Sequence, residues 1–344
     1  MLRSVLRVAL AALPLPLLAQ PPAGYYDAAA GLYGEALRGA LHGIINDHVV
    51  LANSQLWAAF QACDARPDGG VWDMYSDIPG GTPAYIYQFG ADQCGTYDEE
   101  GDCFNREHSF PQSWFNSSIP ASTDLFHLYP TDAWANQKRG NNAYGEVGST
   151  TWVGSNGSKL GNCTYPACTG VVFEPIDAYK GDLARSYFYM LVRYLPEVDS
   201  WTSPMMSSGE FLPWAENMLL EWHAADPVSP KEVARNNAVF AIQGNRNPFI
   251  DQPQWVSSIW GPTAAVEDVW GRAVRVWAVN GDVAVQGLEA GEVIDLRIVD
   301  TAGREVFRRT VQGNGTLGTR LAAGGYMVIL RLHGMRIVKR VAVP

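Results

Sequence analysis

Apolar residues recur at helical spacing early in the chain: Leu32, Ala36, Leu37, Ala40, Leu41, Ile44 and Ile45. That period predicts an amphipathic helix, with His42 and His48 on it or at its end. Residues 64–82, rich in Gly, Pro and Asp, predict a loop. Residues 84–89 predict a short strand. Residues 154–170, dense in Gly, Ser, Asn and Cys, predict a further loop. Leu183, Tyr187, Met190, Leu191 and Tyr194 share one helical face, and Pro196 stops that helix. Ser229-Pro230-Lys231-Glu232 is a capping box with Pro at the first helical position. The helix it opens is expected to end at Gly244.

From about residue 265 the pattern changes. Val274, Val276, Val279, Val283, Val285, Leu296, Ile298, Val306, Phe307, Tyr326, Val328 and Leu330 lie in short alternating runs. Asn280-Gly281, Ala302-Gly303, Asn314-Gly315 and Gly324-Gly325 punctuate them. Short β-rich runs with regular turns predict a small β-sandwich. The chain is therefore read as α+β: residues 20–264 form one mostly helical domain and residues 265–344 a C-terminal β-sandwich.

Residues 1–19 look like a secretory signal. Arg3 and Arg7 precede an apolar run over residues 8–18, which is broken by Pro14 and Pro16. The run is too short for a membrane helix, and no other stretch qualifies. The expected location is secreted or cell-surface, with no integral membrane segment. Export permits disulfides. Cys94 with Cys103, and Cys163 with Cys168, would each close a short loop and leave Cys63 over. Other pairings stay open, because sequence does not fix connectivity. Cysteine-bound zinc is not expected, since no ligand spacing for it occurs.

Of the 344 residues, 47% are hydrophobic and 17% charged, enough for a sizeable core. The formal net charge is −10. Residues 20–264 hold 12 Lys/Arg against 27 Asp/Glu, a net of −15. The usual basic footprint of a nucleic-acid binder is thus absent globally. Any such binding must rest on a local patch and a bound cation.

The densest polar set begins with Asn105-Arg106-Glu107-His108. It continues with His127, Asp132, Asn136, Lys138, Arg139, Asn141 and Asn142. A short strand is expected to present His108. A helix follows Pro130, capped by Thr131 or Asp132 and ended by Gly140. Asp132, Asn136 and Arg139 can share one of its sides. A neutral imidazole can deprotonate water near pH 7. A carboxylate and an amide carbonyl suit a hard divalent ion and leave it room for phosphate. Arg can grip phosphate with two prongs, and Arg139 is a candidate for that on residue type. Arg106, Lys138, Asn141 and Arg246 are the other candidate substrate contacts. The run around Arg246 equally fits a helix-ending turn. The whole set also fits a structural role, with Glu107 paired to Arg106 or Arg139 and His108 a satisfied, partly buried histidine.

Three stretches resemble bacterial endonuclease I, a ββα-metal (His-Me finger) nuclease family. They are the run from Asn105-Arg106-Glu107-His108 to Phe115, the run from Asp124 through Asn136, Arg139 and Gly140 to Val147, and Gln243-Gly244-Asn245-Arg246-Asn247-Pro248-Phe249. The resemblance implies a ββα-metal core embedded in the helical domain. It implies His108 as general base, with Glu107 and Asn136 holding Mg²⁺ or another divalent cation such as Mn²⁺ or Ca²⁺. It also implies an endonuclease acting on DNA, with RNA left open, that shows little sequence preference and leaves 5′-phosphates. Many relatives have His-Asn where this chain has Phe126-His127. His127 and Asp132 are expected to support the site from behind, or, for His127, to be a buried structural histidine.

The C-terminal region resembles the sorting domain of type IX secretion cargo. Val299-Asp300-Thr301-Ala302-Gly303-Arg304, Leu321-Ala322-Ala323-Gly324-Gly325-Tyr326 and the basic ending carry that resemblance. It implies the secretion machinery as a partner. Two other classes remain open from sequence. The 12 Trp and 15 Tyr with an acidic body also suit a non-catalytic glycan-binding or adhesion protein. The polar set also suits a metal phosphodiesterase acting on small substrates.

Overall fold

The computed structural model describes residues 20–261, 274–288, 291–332 and 335–344. The expected signal, residues 1–19, and the expected boundary at residues 264–265 lie outside these. The chain is mixed α+β. Helices and small sheets occupy the N-terminal part, and an all-antiparallel region follows.

Helix α1 (Gly34–Ile45) buries Leu37, Leu41 and Ile45, one every turn, as its period predicts. Helix α2 (Leu56–Cys63) follows. Strands β1 (Phe104–His108) and β2 (Leu128–Asp132) pair antiparallel and lead into α3 (Ala133–Arg139). Next come β3 (Ala143–Tyr144), β4 (Val147–Val153), β5 (Lys159–Cys163) and β6 (Val171–Glu174), in sheet order β3-β6-β5-β4. Helix α4 (Asp177–Arg193) is buried on all sides, so it is the central helix of this part. Its buried Arg185 is paid for by Glu232 of a neighbouring helix, 2.9 Å away at one of two contacts.

A two-stranded hairpin, β7 (Met206–Ser207) and β8 (Glu210–Phe211), precedes α5 (Pro213–Ala225). Helix α6 (Pro230–Gln243) starts at the expected capping box. Ser229 Oγ accepts from the Glu232 amide at 3.2 Å, and Glu232 accepts from the Ser229 amide at 2.8 Å. Gly244 ends it in the left-handed region, φ 79°. Short helices α7 (Pro248–Asp251) and α8 (Gln254–Trp260) complete this part. Among the described residues no helix is long and apolar enough to cross a membrane.

Two expectations fail. Residues 84–89 form no ladder strand; Tyr85 and Tyr87 instead send their hydroxyls to Asp132. The expected loop at 154–170 contains β5. Both short-loop disulfides are present, Cys94–Cys103 and Cys163–Cys168, and Cys63 is free. The first anchors the entry to β1, where the Cys103 carbonyl accepts from the first amide of α3 at 3.0 Å.

The C-terminal strands are β9 (Arg275–Val279), β10 (Asp282–Gln286), β11 (Val293–Asp300), β12 (Glu305–Gln312), β13 (Gly315–Leu317), β14 (Gly324–Leu332) and β15 (Met335–Val343). They form two sheets, ordered β13-β10-β9 and β12-β11-β14-β15. Val283 and Val285 of one sheet pack with Leu296, Ile298, Val328 and Leu330 of the other in a shared core. Arg340–Glu216 and Arg331–Asp199 ion pairs join this region to the helical part.

Candidate active site

The unit β1-β2-α3 gathers most of the residues singled out by sequence. Asp132 caps α3 by accepting from the Ala135 amide at 2.7 Å. Gly140, at φ 53°, ends it. The helix is stitched across β1 by its own polar side chains. Asn136 Nδ2 donates to Asn105 Oδ1 at 2.7 Å and to the Arg106 carbonyl at 3.2 Å. Arg139 donates to the carbonyls of His108 and Ser109 at 2.8 and 2.6 Å.

Glu107 is buried on the α3 side of β1. Its Oε1 accepts from the Tyr75 and Tyr144 hydroxyls at 2.7 and 3.3 Å. Arg139 Nη1 lies 3.1 Å from the same oxygen. Burial pushes the Glu107 carboxyl up, and Arg139 pulls it back. Among the described residues no hydrogen bond reaches Glu107 Oε2 or Asn136 Oδ1. Both are oxygens of the kind a hard cation takes. No cluster of three or more His, Cys, Asp or Glu forms among the described residues. A cation here would keep much of its shell for water and phosphate, which suits hydrolysis.

His108 is the last residue of β1, its side chain on the opposite strand face from Glu107. Its Nε2 lies 2.9 Å from the Ser122 carbonyl. A carbonyl only accepts, so Nε2 carries the proton and Nδ1 keeps a basic lone pair. Gln112 sets its amide 3.0 Å from the same nitrogen. With Nε2 protonated, the amide's oxygen end suits that contact. Burial, then the nearby His127, Arg106 and Arg139, lower the His108 pKa to about 3. The ring is therefore neutral at pH 7, as a general base requires.

His127 is fully buried, its ring centre 5.5 Å from that of His108. Its Nε2 sits 2.6 Å from the Ala121 carbonyl, one residue before the carbonyl that orients His108. It braces that turn. Asp124 braces the other end, accepting from the Tyr189 and Tyr194 hydroxyls at 2.8 Å each and from Gln243 at 3.1 Å. The motif at residues 243–249 thus belongs to the frame of the site.

Several expected roles do not survive the geometry. Asp132 points away from Glu107, toward Tyr85, Tyr87 and the Gly101 amide. It caps α3, the helix that carries Asn136. Arg139 is 1% exposed, and its two Nη atoms are engaged by two carbonyls, Tyr187 and Glu107. It holds β1 to α3 and faces no substrate. Arg246, also 1% exposed, grips Asp251 at 2.6 and 2.7 Å and Asn237 at 2.9 Å. It is the satisfied Arg of a turn.

Arg106 and Lys138 differ. Arg106 shares a strand face with His108 and lies over Trp57, its guanidinium carbon 5.4 Å from the ring centre. Lys138 lies over Trp134 at 4.0 Å. Asn141 is exposed just past Gly140. Of the 12 Lys/Arg in residues 20–264, nine have a carboxylate partner. Among the described residues only Arg106, Lys138 and Arg193 have none, and Arg193 is buried against His48 at 2.9 Å. The accessible unpaired cations of this acidic body are therefore the two beside the candidate site. Tyr75, Tyr144 and Ser122, which orient Glu107 and His108, were not singled out by sequence.

The family model for Endonuclease I matches residues 33–254. The chain belongs to the endonuclease I family. It is 33% identical over 249 residues to an extracellular ribonuclease of Bacillus amyloliquefaciens, covering 69% of this chain and 78% of that protein. The extracellular ribonuclease of Bacillus subtilis (strain 168) is 32% identical over 252 residues, with the same coverage, 69% and 78%. Endonuclease-1 of Buchnera aphidicola subsp. Baizongia pistaciae is 29% identical over 129 residues, 37% of this chain and 46% of that protein. This endonuclease I family member is a nuclease, which removes the non-catalytic adhesion alternative.

Proposed function

We propose that the chain is an exported endonuclease that hydrolyses internal phosphodiester bonds of DNA and RNA. It shows little sequence preference and leaves 5′-phosphates. What supports this is a neutral His108, its Nε2 tied to the Ser122 carbonyl, on the same β1-β2-α3 unit as two unengaged oxygens on Glu107 and Asn136. Units β1, β2 and α3 serve as the ββα-metal core of a nuclease domain over residues 20–264. A divalent cation, Mg²⁺ or another such as Mn²⁺ or Ca²⁺, would be held by Glu107 and Asn136 and would offset charge developing on phosphate and leaving oxygen. His108 Nδ1 takes the proton of the attacking water. The new P–O bond forms as the bond to the 3′ oxygen breaks. Arg106, Lys138 and Asn141 contact the phosphate backbone, which explains tolerance of sequence. The similarity to extracellular ribonucleases supports RNA as a substrate and an extracellular location. Two disulfides agree with export.

Plasmid DNA and RNA are both expected to be cut by the full chain with Mg²⁺. Cleavage should stop in EDTA and return when metal is restored. A well-folded protein that cuts neither polymer across several divalent ions would overturn this reading.

Residues 265–344 are proposed as the sorting domain for the type IX secretion machinery, supported by the sequence resemblance and the antiparallel strands. Deleting them should trap active enzyme inside a host that has that machinery. Unchanged export of the truncated chain would count against it.

A further inference from the structure

The candidate site carries two tryptophan–cation stacks that hydrolysis itself does not need. Trp57 of α2 sits edge-on to Phe60 and Phe104, with ring centres 6.0 and 5.7 Å apart. Arg106 covers its outer face and reaches Asn53 Oδ1 at 3.3 Å. Trp134, in the first turn of α3, lies beneath Lys138 one turn later. Among the described residues Trp134 stacks on no other ring, donates no hydrogen bond and belongs to no apolar core. Trp134 is partly exposed, and its one stacking partner among the described residues is the Lys138 ammonium.

The first stack shares a strand face with His108, and the second stands on the same short helix as Asn136, on the side turned away from it. Arg106 is two residues before His108 on one strand face. Lys138 is two residues after Asn136, whose amide touches the Arg106 carbonyl at 3.2 Å. One stack therefore lies on the strand bearing the base, and the other on the helix bearing a proposed ligand.

Charge narrows the kind of polymer. A duplex is held mainly through many phosphate contacts, and its base faces are hidden by stacking. This body has a net of −15 and only two accessible unpaired cations. Single strands expose base faces, which stack on indole and guanidinium planes. Stacking also costs no cations. We propose that Trp57–Arg106 and Trp134–Lys138 are base-stacking subsites that make the enzyme engage single-stranded nucleic acid in preference to duplex. This rests on the nuclease reading above.

Kinetics on a single-stranded oligonucleotide and on the duplex of the same sequence test it, using the full chain. Trp57→Ala and Trp134→Ala should each raise single-strand KM by roughly 5- to 100-fold, the range for losing one stacked base. kcat and duplex KM should change little. Trp134→Phe should keep much of the affinity. Trp277→Ala, exposed on the C-terminal sheet, should leave both substrates unaffected. Single-strand affinity should depend weakly on salt, with a log–log slope of about −1.4 for two phosphate contacts.

Tryptophan fluorescence in EDTA separates binding from cleavage. Quenching by the single strand, lost in Trp134→Ala, supports the subsites even if turnover is absent. Cleavage without such quenching, single-strand KM within twofold of wild type in both alanine variants, or an equal rise on duplex overturns them. The Trp134 variants decide the case if Trp57→Ala fails to fold.

Discussion

His108→Ala is expected to lower kcat on DNA and RNA by about 10²–10⁴-fold, with KM nearly unchanged. The argument runs through one hydrogen bond. The Ser122 carbonyl fixes the proton on Nε2, so Nδ1 is the ring's basic atom. Buried surroundings and nearby cations keep the ring neutral. In the proposed role of His108, removing it deletes the proton acceptor but leaves Glu107, Asn136, Arg106 and Lys138 in place. Binding should therefore persist while the chemical step slows. Steady-state kinetics at saturating Mg²⁺ check this, with thermal unfolding to show that the variant is folded. Added imidazole should restore part of the lost rate, since it can enter the space left by the ring. A rise in KM with kcat intact would mean that His108 binds phosphate and that water is deprotonated elsewhere.

The elements legible in the sequence were those whose signals are local. The stripe in α1, the capping box of α6 and the cap and Gly140 stop of α3 all depend on neighbours within one turn. The misjudged segments depended on distant partners. Gly161 made residues 154–170 look like loop, yet it lies inside β5. A Cβ there would fall 2.1 Å from the Ser149 carbonyl of β4, so glycine is what allows the two strands to approach. Tyr85 and Tyr87 alternate like strand residues because both reach Asp132, not because a ladder runs there. Alternation reports which way side chains point and says nothing about who pairs with the backbone.

The same limit governed the site. Residue type and motif single out His108, Glu107 and Asn136, and β1-β2-α3 carries all three on one unit. The arginines were not legible. By type, Arg139 and Arg246 look like phosphate ligands, and only the fold reveals that each already holds a carboxylate. One signal was available. With 27 acids to 12 bases, most cations of this body must find an internal partner, so an unpaired one is the informative exception. Tyr75 lies in a stretch whose Gly, Pro and Asp content reads as loop, and nothing local marks its hydroxyl as bound for Glu107.

Arg139→Met should destabilise the folded protein by about 3–5 kcal/mol, the cost of leaving a buried charge without its partner. Glu107 would then sit in the interior without its cation, and the carbonyls of His108 and Ser109 would each lose a donor. For a chain of this size the melting temperature should fall on the order of 10 °C. Arg106→Met is the contrast. Its guanidinium is half-exposed and unpaired with any carboxylate, so stability should hold while KM rises. Calorimetry and Michaelis kinetics on both variants separate the roles. A strut loses stability, and a phosphate contact loses affinity. If Arg139→Met kept its melting temperature and raised KM, Arg139 would be the phosphate clamp its residue type suggests. If it melts early while the folded fraction binds substrate normally, the arginine's work is to hold the base-bearing strand against the helix that carries Asn136.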